Sequence, residues 1–269
     1  MRFSIPGLIL AVGFCSCVKT EAPQPLLKIN EVSGKIRRII TAIPGSRTTS
    51  VATFAYDVAG RVKDYNTWTN DSTQTPLIIK SDYFTFFYTG NDPKPVSCTH
   101  TNNNGTVNEI TNYTYDLHNR VIQEDVSNGS VLKLTNSYNY LTNAYARVCS
   151  YGTPFIPQTK DTVITDGSRN IIQMRTYSII TPGAPPLSVS VSYDNRKNPL
   201  GETNIGLFVK TFYGKDNTEF FLTPNNLTSQ DGNINGVPYT TSLYYEYSTN
   251  GFPLKATFSD NLTAVFEYF

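Results

Sequence analysis

The sequence predicts an all-β protein: an antiparallel up-and-down meander of about 16–18 strands, curled into a barrel-like or spiralling β-shell. Three observations predict this. The composition is one of strands and turns, with Tyr 18 and Phe 15 against Trp 1 and Met 2, and only 16% charged residues in a chain of 269. A turn motif recurs along the chain. Between its copies, apolar and polar residues alternate with period two.

The first segment reads as an export signal. Met1 and Arg2 make a minimal positive start, and Ile5 to Phe14 is an apolar stretch of roughly ten residues, too short to cross a bilayer as a helix. It ends in Phe14-Cys15-Ser16-Cys17, where a small residue precedes a cysteine as lipoprotein processing requires. Residues 1–16 are therefore read as a lipoprotein signal peptide, with Cys17 as the lipidated residue. Residues 17–28, with Pro23 and Pro25, are read as an extended tether. Residues 29–269 form a single β domain, because no shift in composition divides them.

Within that domain Tyr56-Asp57-Val58-Ala59-Gly60-Arg61-Val62 recurs as Tyr115-Asp116-Leu117-His118-Asn119-Arg120-Val121. Tyr247-Ser248-Thr249-Asn250-Gly251-Phe252 holds the same frame, and looser copies open at Ile29, Tyr88, Tyr140, Ile164, Tyr193 and Phe221. The starts are about 24 to 32 residues apart, inside the range of repeat architectures. Each copy has a mechanical meaning. An aromatic ends one strand, and Asp, Ser or Thr opens the turn by accepting a backbone N–H. Gly60, Asn119 and Gly251 stand where φ must become positive, as in a type I turn with a bulge. Arg61 and Arg120 lead the returning strand, placed to lie over an aromatic or to pair with the aspartate.

The flanking segments alternate accordingly. Ala52, Phe54 and Tyr56 oppose Thr53, Ala55 and Asp57; Leu243, Tyr245 and Tyr247 oppose Tyr244, Glu246 and Ser248. Segments near Asp71–Pro76, Pro154–Lys160, Thr181–Pro186 and Pro224–Val237 collect Pro, Gly and Asn and read as long connections.

These motifs carry a resemblance. Phe54 to Val62 and Tyr113 to Val121 resemble the tyrosine–aspartate (YD) repeat of Rhs-type secreted proteins, with Asn119 in place of the usual glycine. The chain is too short for their full encapsulating shell. It is also similar to short Bacteroidetes lipoproteins that combine a lipobox with degenerate YD hairpins, among them a family of unknown function with a porin-like β fold. That resemblance implies an outer-membrane, lipid-anchored location facing the periplasm or the cell surface, and it brings no catalytic residue. In that setting Asp71-Ser72-Thr73 and Asp161-Thr162-Val163 resemble a periplasmic O-glycosylation motif.

Candidate chemistry is sparse. The net charge of +1 gives no footprint for nucleic acid. The two histidines, His100 and His118, read as surface residues, and Glu124 and Asp125 point to opposite faces of one strand. No nucleophile elbow, metal-binding spacing or phosphate loop occurs in the sequence. The chain is therefore read as a non-enzyme without a cofactor. Cys98 and Cys149 are either a disulfide, which an exported chain permits, or two separate buried thiols. Trp68 beside Tyr65 is the one candidate platform for stacking a sugar ring. The functional expectation is a lipid-anchored binding or scaffold protein for a glycan or another envelope protein. The alternatives are a porin-like barrel or transporter accessory, and a glycan-active enzyme.

Overall fold

The computed structural model describes residues 34–42, 45–71, 78–102, 105–152, 156–201, 223–234 and 237–269. Cys17, the signal segment, the tether, the copy of the motif at Ile29 and the start of the one at Phe221 lie outside them.

Sixteen strands follow one another around a closed barrel: β1 (Ile36–Ala42), β2 (Thr48–Tyr56), β3 (Val62–Asp71), β4 (Ile78–Tyr88), β5 (Pro95–Asn102), β6 (Val107–Tyr115), β7 (Val121–Asn128), β8 (Val131–Leu141), β9 (Ala144–Tyr151), β10 (Ile156–Thr165), β11 (Ile171–Ser178), β12 (Leu187–Lys197), β13 (Asn225–Ile234), β14 (Val237–Tyr247), β15 (Pro253–Phe258) and β16 (Thr263–Tyr268). Every neighbour pair is antiparallel, and β1 closes the ring against β16 in the register Ile40↔Val265 and Thr41↔Ala264. Closure pairs every described strand on both sides.

Register assigns the two faces of the wall. Ile39, Ala52, Phe54, Tyr65, Phe86, Tyr113, Tyr138, Met174, Val189, Ala256 and Phe266 share the inner face, and nearly all of them are buried. They form two clusters. One joins β15, β16 and β1 to β6 around Phe54, Tyr65 and Phe266; the other joins β10 to β15 around Val163, Val189 and Phe258. Each fully buried large side chain contributes about 2 kcal/mol of transfer free energy.

The outer face is hydrophilic. Asp125, Ser137, Lys160, Arg175, Ser190, Asp231, Glu246, Lys255 and Glu267 alternate with the buried residues and point away from the interior. At the seam both carboxylate oxygens of Glu267 are held from β1: Arg38 donates through Nε and Nη2 at 3.1 and 2.7 Å, and Arg37 through Nη2 at 2.6 Å. An outer-membrane barrel needs the opposite arrangement, with an apolar band outside.

Two segments depart from the sequence reading. Pro224–Val237 is not a long connection: Asn225–Ile234 is strand β13, paired to β12 and β14. Its Asn, Asp and Gly have weak strand propensity, and pairing on both sides overrides it. Likewise Ile156–Lys160 belongs to β10.

Candidate functional site

The recurrent motif occupies one end of the barrel. In the copy at Tyr56, the Asp57 carboxylate accepts the backbone N–H groups of Ala59 and Arg61, each at 2.9 Å, and Gly60 N–H bonds to Asp57 O at 2.9 Å. The copy at Tyr115 repeats this, with Asp116 accepting from His118 and Arg120 at 2.9 Å. Gly60 and Asn119 take φ of 79° and 62°, the left-handed conformation that the turn needs and that glycine or asparagine adopts most readily.

The arginine does both of the jobs available to it. Arg61 Nε donates to Asp57 Oδ2 at 2.7 Å, and its guanidinium lies 4.2 Å from the ring centroid of Tyr88, the tyrosine of the next repeat. Arg120 likewise holds Asp116 at 2.7 Å and lies 4.5 Å from Tyr140. Lys35 over Tyr56, Lys94 over Tyr115 and Arg196 over Tyr247 extend the series around the rim. Five tyrosine hydroxyls bond back to a neighbouring backbone carbonyl: Tyr56 to Ile36 O at 3.0 Å, Tyr88 to Val62 O at 2.6 Å, Tyr115 to Pro95 O at 2.6 Å, Tyr193 to Ile171 O at 2.8 Å and Tyr268 to Pro253 O at 2.7 Å, whereas Tyr247 donates to the Asp194 carboxylate. These residues fasten hairpin to hairpin.

Tyr65 and Trp68 do not form one platform. Tyr65 is 1% exposed in the inner core, 5.1 Å from Phe54, whereas Trp68 pairs with Val51 on the outer face. Three residues apart on one strand, they must face opposite ways. Cys98 and Cys149 are free thiols. They stand on β5 and β9, four strands apart, so about 19 Å of wall separates them, well beyond disulfide reach. Burial pushes the Cys98 thiol up to about 12, the mark of a structural rather than a reactive cysteine.

The interior also carries polar groups, among them His100, which the sequence places at the surface but which shares the inner face with Phe84 and Phe86. His100 is stacked on Phe84 at 4.6 Å, and its Nε2 is 2.9 Å from Asp82. Buried Glu124 accepts from Asn136 Nδ2 at 2.8 Å, and Arg147 Nε donates to buried Asp161 at 2.6 Å. Alternation is the signal that could have found them: Asp161 shares a face with Val163, and Arg147 with Tyr145. Asp125, the neighbour of Glu124, faces outward as expected. Among the described residues no group of three or more His, Cys, Asp or Glu could hold a metal ion.

No protein-family model and no curated protein matches this sequence. Solved structures match in fold. A porin-like protein from Bacteroides uniformis superposes with a TM-score of 0.59 at 12% identity, covering 88% of this chain and 98% of its own. A second porin-like protein, from Bacteroides vulgatus, gives 0.56 at 10% identity, covering 89% of this chain and 99% of its own. The shared property is the all-β barrel fold.

Proposed function

We propose that this chain is a lipid-tethered barrel of the bacterial envelope that works as a non-catalytic binding or scaffold protein for a glycan or another envelope protein. One observation carries the reading: the barrel buries its apolar face inward and turns charged and hydroxylated side chains outward. Arg175, Lys160, Asp231 and Glu246 would meet hydrocarbon if the wall were embedded, and an exposed lysine or arginine at mid-bilayer costs about 2–4 kcal/mol. Such a barrel needs another means of staying at a membrane, and a lipid on Cys17 supplies one. The tether is short enough to hold the barrel close to the surface.

The test is hydrodynamic. The chain without residues 1–17 is expected to be soluble and monomeric in buffer free of detergent. Aggregation that only detergent reverses would contradict the proposal. The likeness to porin-like proteins favours a second reading, a transport role, and that reading predicts ion conductance when the purified chain is added to planar bilayers.

A further inference from the structure

The outer wall carries one group of aromatic rings that core packing does not account for. Trp68 on β3 and Tyr83 and Phe87 on β4 all point outward; Trp68 is half-buried against Val51, and Tyr83 and Phe87 are 41% and 48% exposed. Trp68 lies opposite Ser81, so Tyr83 is its diagonal neighbour at about 7–8 Å, and Phe87 follows about 13 Å further along the same strand. The rings are thus spaced in a line. Between and beside them the outward residues are Asn66, Asp64, Thr85 and Thr101, and Thr85 Oγ1 donates to Asp64 Oδ1 at 2.9 Å.

We propose that this strip on β3 and β4 binds an extended, uncharged glycan chain, with Trp68, Tyr83 and Phe87 stacking on pyranose faces spaced along it and Asn66 and Thr101 hydrogen-bonding the hydroxyls between them. This gives the binding reading above a site and a ligand class, and it rests on that reading. The chemistry disfavours other occupants. An extended peptide would need a free strand edge to pair with, and the closed barrel offers none. A second protein would need a contiguous apolar core; Val51, Ile40 and Val265 adjoin Trp68 across the wall, but amides and hydroxyls separate Tyr83 and Phe87 from that row. A lipid surface calls for several lysines or arginines around the rings; exposed Lys63 stands at one end of the strip, and Asn66, Asp64 and Thr85 line the rest.

Trp68 is the sole tryptophan, so its fluorescence reports directly on the strip. The full chain should be titrated with cellohexaose, xylohexaose and mannohexaose, following tryptophan emission and, in parallel, heat by calorimetry. At least one of these is expected to shift or quench the emission saturably. Tyr83→Ala and Phe87→Ala should each weaken that binding by about three- to tenfold, the loss of one stacked ring, and Trp68→Ala should do the same by calorimetry. Tyr244→Ala, which removes an outward ring on another part of the wall, 68% exposed, should leave it unchanged. All four side chains lie on the outer face, and circular dichroism verifies that each variant folds. Absence of binding to all three oligosaccharides overturns the glycan strip and leaves the soluble-barrel proposal standing. Binding that survives all three ring deletions also overturns it, by placing the glycan elsewhere.

Discussion

The guanidinium of Arg61 bridges two repeats: one side is paired with Asp57 in its own turn, and its face lies 4.2 Å from the ring of Tyr88 in the next. Its Nη1 also donates to the carbonyls of Gly90 and Asp92, at 2.8 and 2.7 Å. Tyr88 returns a hydrogen bond to Val62, the residue after Arg61, at 2.6 Å. Neither hairpin can tilt away without breaking several of these contacts together.

Removing this clamp should therefore cost more than removing its exposed counterpart. From its ring and carbonyl contacts alone, Arg61→Ala is expected to lose about 2 kcal/mol. Arg120, whose side chain is 42% exposed against 15% for Arg61, should lose less on the same substitution. Urea denaturation of the two variants checks the order. Tyr88→Phe, which deletes only the hydroxyl, should cost about 1 kcal/mol.

Acid should loosen the same rim. Burial works to raise the Asp57 carboxyl, but the N–H and guanidinium of Arg61 and the N–H of Ala59 outweigh it and hold the carboxyl below its ordinary value; Asp116 is held low in the same way by Arg120 and His118. Burial also opposes ionisation at Glu267, and Arg38 and Arg37 overcome it. A depressed carboxyl gives stability that is complete above its unfolded value, about 4, and is lost as pH falls through the lower folded value. Denaturation midpoints should thus be flat near neutrality and fall below about pH 4. Replacing Asp57 and Asp116 with asparagine should make that fall shallower.

At high pH the sign reverses. Burial pushes Tyr88 up to about 12 despite nearby Arg61, and does the same to Tyr140 despite nearby Arg120. Tyr65, Tyr138 and Tyr268 are raised further, in each case chiefly by burial. A raised phenol contributes stability that is complete below about pH 10 and is lost as pH rises through the folded value. Spectrophotometric titration should show these buried tyrosines ionising together with loss of the β-sheet signal.

The interior pair on β9 and β10 gives a sharper substitution test. The Asp161 side chain is 4% exposed and holds Arg147 Nη2 at 2.6 Å. Asp161→Ala removes the carboxylate half of that pair inside the barrel and should cost about 3 kcal/mol. Substituting both residues with apolar ones of similar size should recover much of the loss.

How much of this was legible depends on range. Tyr56, Asp57, Gly60 and Arg61 lie within six positions, so local rules were enough to read their turn. The partner of Arg61 is 27 positions away in Tyr88, and only closure of the sheet decides which ring it meets. Alternation located the apolar face of β16, Ala264, Phe266 and Tyr268, but not which side of a wall that face occupies. The same parity places Trp68 opposite Tyr65, an inference available from their spacing alone. Strand β13 escaped notice because its support comes from β12 and β14, not from its own residues.

The most direct test of the account compares two neighbours on β12. Val189 is 0% exposed inside the barrel, and Ser190 points outward beside Asp231. A lysine at position 190 should fold with unchanged stability or a slight gain from Asp231. A lysine at 189 buries an unpaired charge and should prevent folding, read as loss of β-sheet circular dichroism and of a cooperative urea transition. A stable Val189→Lys barrel beside a Ser190→Lys chain that unfolds or aggregates would mean that the apolar face is the outer one, and would contradict the account.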